Sequence, residues 1–126
     1  MKKVVSPVFG AWTFLFLFPA FLESADVVDG QEVFKKKCAP CHYITKKRKV
    51  GPGLAGIRRR ITREWAREWI ADPQGTWERN DGYTQVLRKS VRDGERRTKT
   101  LMQFKVVKGP PGSEEIEAVL EYMDTL

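Results

Sequence analysis

Five consecutive residues, Cys38-Ala39-Pro40-Cys41-His42, contain both cysteines and the only histidine of the chain. That concentration limits the fold more than any other feature of the sequence. A disulfide scaffold needs more cysteines. A closed zinc site needs four ligands, and the motif offers fewer, with Cys41 and His42 adjacent rather than at finger spacing. A thioredoxin-like dithiol is the nearest competitor, but it is framed by strands; here a lysine-rich helical segment enters the motif and a basic loop leaves it. The C-x-x-C-H arrangement of covalent haem attachment fits best. Two thiols three positions apart at a helix end can add to the two vinyl groups of one porphyrin, and the next residue then lies under the iron. Cys38 and Cys41 are the expected tethers of one haem c, and His42 its expected proximal ligand.

The rest of the chain sets the context. Its 126 residues hold one domain, and 23 Lys plus Arg against 16 Asp plus Glu give a net charge of +7. Lys2 and Lys3 precede 19 uncharged residues, Val4 to Leu22, which read as a secretory signal within residues 1–25, followed by a domain over 26–126. The cleavage site is poor, because cutting after Ala25 places Glu23 where a small residue is preferred. Left uncut, Val4 to Leu22 is long enough to anchor the chain in a membrane, although Pro7, Gly10 and Pro19 make it an indifferent helix. Either way the remaining domain is expected outside the cytoplasm, in the periplasm, where haem is attached. Export also argues against nucleic acid as a partner, and the chain is too short for a multidomain enzyme.

Helix punctuation is clear at four places and no segment alternates as a strand, so the chain is expected to be all-α. Asp29 with Glu32 opens a helix toward Cys38. Thr62 opens a second, with Ile61, Trp65 and Trp69 every four residues, and Pro73 stops it. A third runs from about Gly82 to near Gly94. Ser113 caps the fourth, in which Ile116, Val119, Leu120 and Met123 form one stripe. Residues 43–61 and 92–112 are long connections rich in Gly, Pro, Lys and Arg, of the kind that wrap or bind something. Four short helices bury little by themselves, and a bulky apolar cofactor at the centre would order the loops.

With these residues in view, residues 26–126 resemble a class I cytochrome c. Gly30 and Phe34 match the Gly-x-x-x-Phe of that family's first helix, and Tyr122 fits the aromatic of the last helix on which the Phe packs. Gly51-Pro52-Gly53-Leu54 matches the family's Gly-Pro-x-Leu loop. The resemblance implies the cytochrome c fold, short helices and long loops wrapped around one haem, and it implies that the Pro52 carbonyl accepts a hydrogen bond from the His42 imidazole.

The second axial ligand follows by elimination, supported by the family's loop position. A second histidine does not exist. Met123 falls on the apolar stripe of the last helix, whereas Met102 lies in the irregular stretch Thr100-Leu101-Met102-Gln103-Phe104, where the family carries its ligand. One departure is that Gln103 stands where the family often has proline. Trp65 and Trp69 read as a core stripe. Trp77, in a Gly-Thr-Trp segment expected as a loop, could donate its indole N–H to a haem propionate, and Tyr43 could cover the haem edge. The clusters Lys35-Lys36-Lys37, Lys46-Lys47-Arg48-Lys49, Arg58-Arg59-Arg60 and Arg96-Arg97-Thr98-Lys99 suggest docking on acidic surfaces of redox proteins, with anionic lipid as another counter-surface.

Imidazole plus thioether gives six-coordinate iron with no open position, which suits electron transfer and not catalysis. The expectation is a monomeric carrier between periplasmic or membrane-bound redox enzymes. A tethered subunit of a respiratory complex is the alternative if residues 4–22 are retained. A five-coordinate haem protein that binds a small gas is the alternative if Met102 does not ligate.

Overall fold

In the computed structural model, which describes residues 26–104 and 109–126, every regular element is helical. The residues 1–25 expected as signal or anchor lie outside the described residues, and among the described residues no helix is long and apolar enough to cross a membrane. Helix α1 (Gly30–Val33) starts where the Asp29 carboxylate accepts the Gln31 N–H. It continues into a wide turn over Phe34–Cys38, in which the Ala39 N–H reaches back five residues to the Phe34 carbonyl. Such widened turns occur preferentially at functional sites, and this one leads directly into the cysteine motif.

Helix α2 (Arg63–Ala71) begins at Thr62, whose hydroxyl accepts the Trp65 N–H as the sequence suggests. Beyond it the sequence reading needs correction. The chain does not enter a loop at Pro73: Asp72 caps a new helix, α3 (Pro73–Arg79), by accepting the Gly75 N–H. Proline at the first helical position loses no hydrogen bond and has the right φ, so the residue that stops one helix starts the next. The Gly-Thr-Trp segment is therefore helical, and among the described residues α-helices number five rather than four.

Helix α4 (Gly82–Ser90), capped by Asp81 through the Thr84 N–H, ends four residues before Gly94. Gly94–Arg96 forms a separate 3-10 turn. Helix α5 (Ser113–Asp124) also differs at its start. Ser113 is its first helical residue; the cap position is Gly112, whose N–H is held by the Glu115 carboxylate at 2.8 Å. A glycine cap has no side chain to offer, so only the reciprocal half of a capping box is made.

The core gathers Val33 and Phe34 before the motif, Leu54 and Ile57 after it, Ala66 and Ile70 from α2, Phe104, and Ile116, Val119, Leu120 and Met123 from α5. Val119 and Leu120 are fully buried, and complete burial of such side chains contributes about 1.5–3 kcal/mol each. Met123 belongs to this stripe at 6% exposure. The first and last helices meet at Gly30, where a Cβ would stand 1.9 Å from the Ala118 carbonyl oxygen. Only a glycine permits that approach. Beside it the Phe34 and Tyr122 rings pack tilted, with centroids 5.4 Å apart.

A second buried group lies apart from this core. Trp77 is 1% exposed and Thr76 and Thr84 are fully buried. The Thr84 hydroxyl donates to the Thr76 carbonyl, and the Trp77 indole N–H donates to the Arg97 carbonyl at 3.1 Å. The Arg88 guanidinium lies 4.1 Å over the Trp77 ring and donates to the carbonyls of Trp77, Gly94 and Arg97. One arginine thus ties a carbonyl of α3 to two carbonyls of the segment after α4.

Candidate haem-attachment site

The motif closes into a single turn because one acceptor serves two donors: the Cys38 carbonyl takes the N–H groups of Cys41 and His42 at 3.0 and 2.9 Å. Cys38 and Cys41 are free thiols, each half-buried, and Cys38 borders the core cluster. Burial pushes the Cys38 thiol up to about 11, with the neighbouring Lys37 ammonium pulling the other way. Lys49 donates to the Ala39 carbonyl and sits over the Tyr43 ring, 5.2 Å from its centroid, so the basic loop folds back onto the attachment turn.

His42 is fixed from behind. The Gly51 N–H donates to the Cys41 carbonyl at 2.8 Å, and this places the Pro52 carbonyl 2.8 Å from His42 Nδ1. Nδ1–H as donor leaves Nε2 as the ring's lone-pair nitrogen. A Cβ on residue 51 would fall 2.2 Å from His42 Cε1, so glycine at that position is what lets the loop press against the imidazole. Burial lowers the pKa of His42, opposed by the Pro52 hydrogen bond, and the net effect favours the neutral ring that can act as a metal ligand.

Met102 is placed by different contacts. Its N–H donates to the Thr100 hydroxyl, Thr100 is buried and takes the Gln74 side-chain carbonyl on its N–H, and Gln103 donates back to the Thr100 carbonyl. The Met102 side chain borders the same core cluster as Cys38, and its sulfur accepts the Trp69 indole N–H at 2.7 Å. Cys38, Cys41, His42 and Pro52 therefore share one turn and its covering loop, while Met102 belongs to a separate segment anchored on α2 and α3.

Two expectations about the aromatics change. Trp77 has its indole N–H engaged by the Arg97 carbonyl inside the second buried group, so it is not free to serve a propionate. Trp65 and Trp69 are half-buried, and Ala66 and Ile70 are the core residues of α2. The two indoles instead stack on each other at 5.2 Å and 11°, with Tyr83 beside Trp65 and Trp77 beside Trp69. The i, i+4 spacing reads as a core stripe, and the structure makes it a half-buried stacked pair instead; the contact of Trp69 with Met102 depends on loop placement no local pattern encodes.

The basic clusters are only in part free surface. Lys35 and Lys36 pair with Glu32, Lys37 with Glu115, and Arg58 with Asp124, while Arg60 donates to the Gly53 carbonyl. Lys46, Lys47, Arg59 and Lys99 are exposed.

Free thiols on one turn, an imidazole held by its far nitrogen, and a loop whose glycine lets it touch that ring form a donor set suited to a covalently attached haem, and they define a c-type haem-attachment domain of all-α class. Comparison with known families agrees. The family model described as Cytochrome c matches residues 27–126, and the chain belongs to the cytochrome c family as a class I c-type cytochrome. No curated protein and no solved structure matches the chain. Membership carries one covalent haem c with its iron, and haem-based electron transfer with redox partners.

Proposed function

We propose that this chain is a monohaem electron carrier working between periplasmic or membrane-bound redox enzymes, and not itself an enzyme. Cys38 and Cys41 are the thioether tethers, His42 and Met102 the axial ligands, and Pro52 the residue that orients the imidazole. The hydrogen bond from His42 Nδ1 to the Pro52 carbonyl, 2.8 Å long and adjoining two free thiols, carries this reading most directly.

The haem, when attached, supplies a one-electron couple. The chain does the rest. Pro52 fixes the His42 tautomer and strengthens the ring as a donor. The Met102 thioether is a soft donor that favours the ferrous state and raises the potential. Exposed Lys46, Lys47, Arg59 and Lys99 give acidic partners an attractive surface, which speeds encounter in a salt-dependent way. The protein is exported and acts as a monomer. The 19 uncharged residues from Val4 to Leu22, with a poor cleavage site, favour a second form in which the same domain stays tethered to the membrane as part of a respiratory complex.

Spectra of the purified protein and its intact mass test the assignment. The expected result is a mass increased by one haem that survives acid-acetone extraction, a weak far-red sulfur-to-iron band in the ferric protein, and a ferrous protein that resists carbon monoxide. Haem lost on extraction would refute attachment through Cys38 and Cys41. Ready carbon monoxide binding at neutral pH would refute the Met102 ligand and turn the protein into a gas binder. Electron-transfer rates with an acidic partner should fall as salt rises within a Debye length of about 8–10 Å; a flat profile would refute docking through the lysines and arginines.

A further inference from the structure

The four cations Lys46-Lys47-Arg48-Lys49 form one cluster in the sequence, but the fold puts them to different uses. Lys46 and Lys47 are exposed on the loop. Arg48 and Lys49 turn back on the protein: the Arg48 guanidinium donates to the Ser90 carbonyl, and the Lys49 ammonium donates to the Ala39 carbonyl at 2.8 Å. Ala39 lies between the two cysteines, so Lys49 grips the attachment turn itself. Its ammonium also stands 5.2 Å from the centroid of the Tyr43 ring, and an aromatic face attracts a cation placed over it.

The main chain of the same residue makes a second hold. The Lys49 N–H donates to the Gly51 carbonyl at 3.0 Å, the Gly51 N–H donates to the Cys41 carbonyl at 2.8 Å, and the next carbonyl, that of Pro52, accepts from His42 Nδ1. Gly51 is thus fixed on both sides just before the group that meets the imidazole. Lys49 touches both ends of this arrangement, with its side chain on the turn that carries the cysteines and its backbone on the segment that carries Pro52.

We propose that Lys49 is a positioning residue for His42: by bridging the attachment turn and the Gly51-Pro52 segment it keeps the Pro52 carbonyl in line with Nδ1, and so sets the plane and donor strength of the imidazole. The proposal rests on the reading of His42 as the proximal ligand. A lysine that supplied only surface charge would be equivalent to Lys47, two residues away on the same loop; a bridging lysine is not. Because the backbone bond from Lys49 to Gly51 survives a side-chain change, loss of the ammonium should loosen the contact with His42 rather than abolish it.

Lys49→Met and Lys47→Met, each in the holoprotein, provide the test, since the second removes the same charge from the same loop without touching the turn. In the ferrous wild-type protein the His42 Nδ1 proton and the Gly51 amide should exchange slowly. With Lys49→Met both should exchange about 2- to 10-fold faster, the range expected for losing one modest hydrogen bond. In the ferric protein the spread of the haem methyl resonances, which follows the imidazole plane, should change with them. Amides of α5 should keep their wild-type rates, because a chain that was merely less stable would loosen there as well. Lys47→Met should leave all of these as in the wild type. The wild-type protein also tests the contact if Lys49→Met fails to mature: the Lys49 ε-methylene protons should be shifted upfield by the Tyr43 ring, and those of Lys47 should not. Unshifted Lys49 protons would overturn the proposal. With the His42 Nδ1 proton protected in the wild type, so would a Lys49→Met protein that exchanges at wild-type rates or loosens α5 equally, and so would a Lys47→Met protein with the same effect. A wild-type protein in which that proton is unprotected would overturn the reading of His42 and Pro52 beneath it.

Discussion

The part of the molecule built from the chain ends and the part built from α3, α4 and the loop after them are held together by different chemistry. Around α1, α5 and the attachment turn, cohesion is close apolar packing: Gly30 against Ala118, Phe34 against Tyr122, and a stripe on α5 that buries completely. Around Trp77 it is hydrogen bonding to main-chain carbonyls through Arg88 and one indole, with a cation over a ring. Packing of the first kind fails by steric conflict, and the second fails by stranding polar groups. On the proposed ligand set the first part holds His42 and the second leads into the Met102 segment, so perturbing each should damage a different ligand of the iron.

The largest effect is expected from Gly30→Val. Its Cβ would overlap the Ala118 carbonyl, and backbone cannot step aside as a flexible side chain can. The helices would have to part, at a cost of about 3 kcal/mol or more by the magnitudes of overpacking. Urea unfolding of the holoprotein measures it, and a loss under about 1 kcal/mol would mean that α1 and α5 are not the rigid frame described here. Gly51→Ala belongs to the same class but should act locally: with its Cβ 2.2 Å from His42 Cε1, the imidazole must turn and lose Pro52, so the haem spectrum should change more than the stability.

Arg88→Met should come next, at about 2 kcal/mol, because it leaves the Trp77 carbonyl without its donor and takes one of two donors from the carbonyls of Gly94 and Arg97, while keeping an apolar side chain of similar reach. Its location matters more than its size. Hydrogen exchange should speed up over residues 73–100 and leave α1 and α5 protected. Loosening spread evenly over both parts would erase the distinction between them.

That contrast also explains what could be read from the sequence. In the first part every partner announces itself locally: a pentapeptide, a Gly-x-x-x-Phe, a Gly-Pro-x-Leu, an i, i+3, i+4, i+7 stripe. In the second, the same residue types mean different things depending on distant contacts. Pro73 reads equally well as a stop and as a first helical residue, and Asp72, which decides between them, acts only once the chain has turned. Trp77 looked available for a propionate because nothing nearby in sequence claims its N–H; the claimant, Arg97, is 20 residues away. A cap can also shift by a local contact, as when Glu115 reaching back to the Gly112 N–H makes Gly112 the cap of α5 and Ser113 its first helical residue.

A smaller effect separates the two methionines. Met123→Leu exchanges side chains of similar volume in the core and should cost under about 1.5 kcal/mol, with the far-red band intact. Met102→Ala should cost the band, open the iron to added ligands and lower the potential. A band that survives Met102→Ala and vanishes with Met123→Leu would reverse the assignment.

The smallest expected effect lies on the seam between α5 and α2. The Glu117 carboxylate accepts from Arg67 and Arg63, and the Arg67 hydrogen bond above all draws its pKa from the usual 4.5 down to about 2. A carboxylate whose folded pKa is depressed binds its proton more readily when unfolded, so its contribution is fully present above pH 4.5 and is lost as pH falls toward 2. The group is exposed, so salt screens it and the contribution is modest. Glu117→Gln should therefore lower the urea midpoint slightly at pH 7, and the gap from wild type should close between pH 4.5 and pH 2, and also shrink in high salt. A gap that stays constant through that pH range would show that the two arginines hold Glu117 no more tightly than water does.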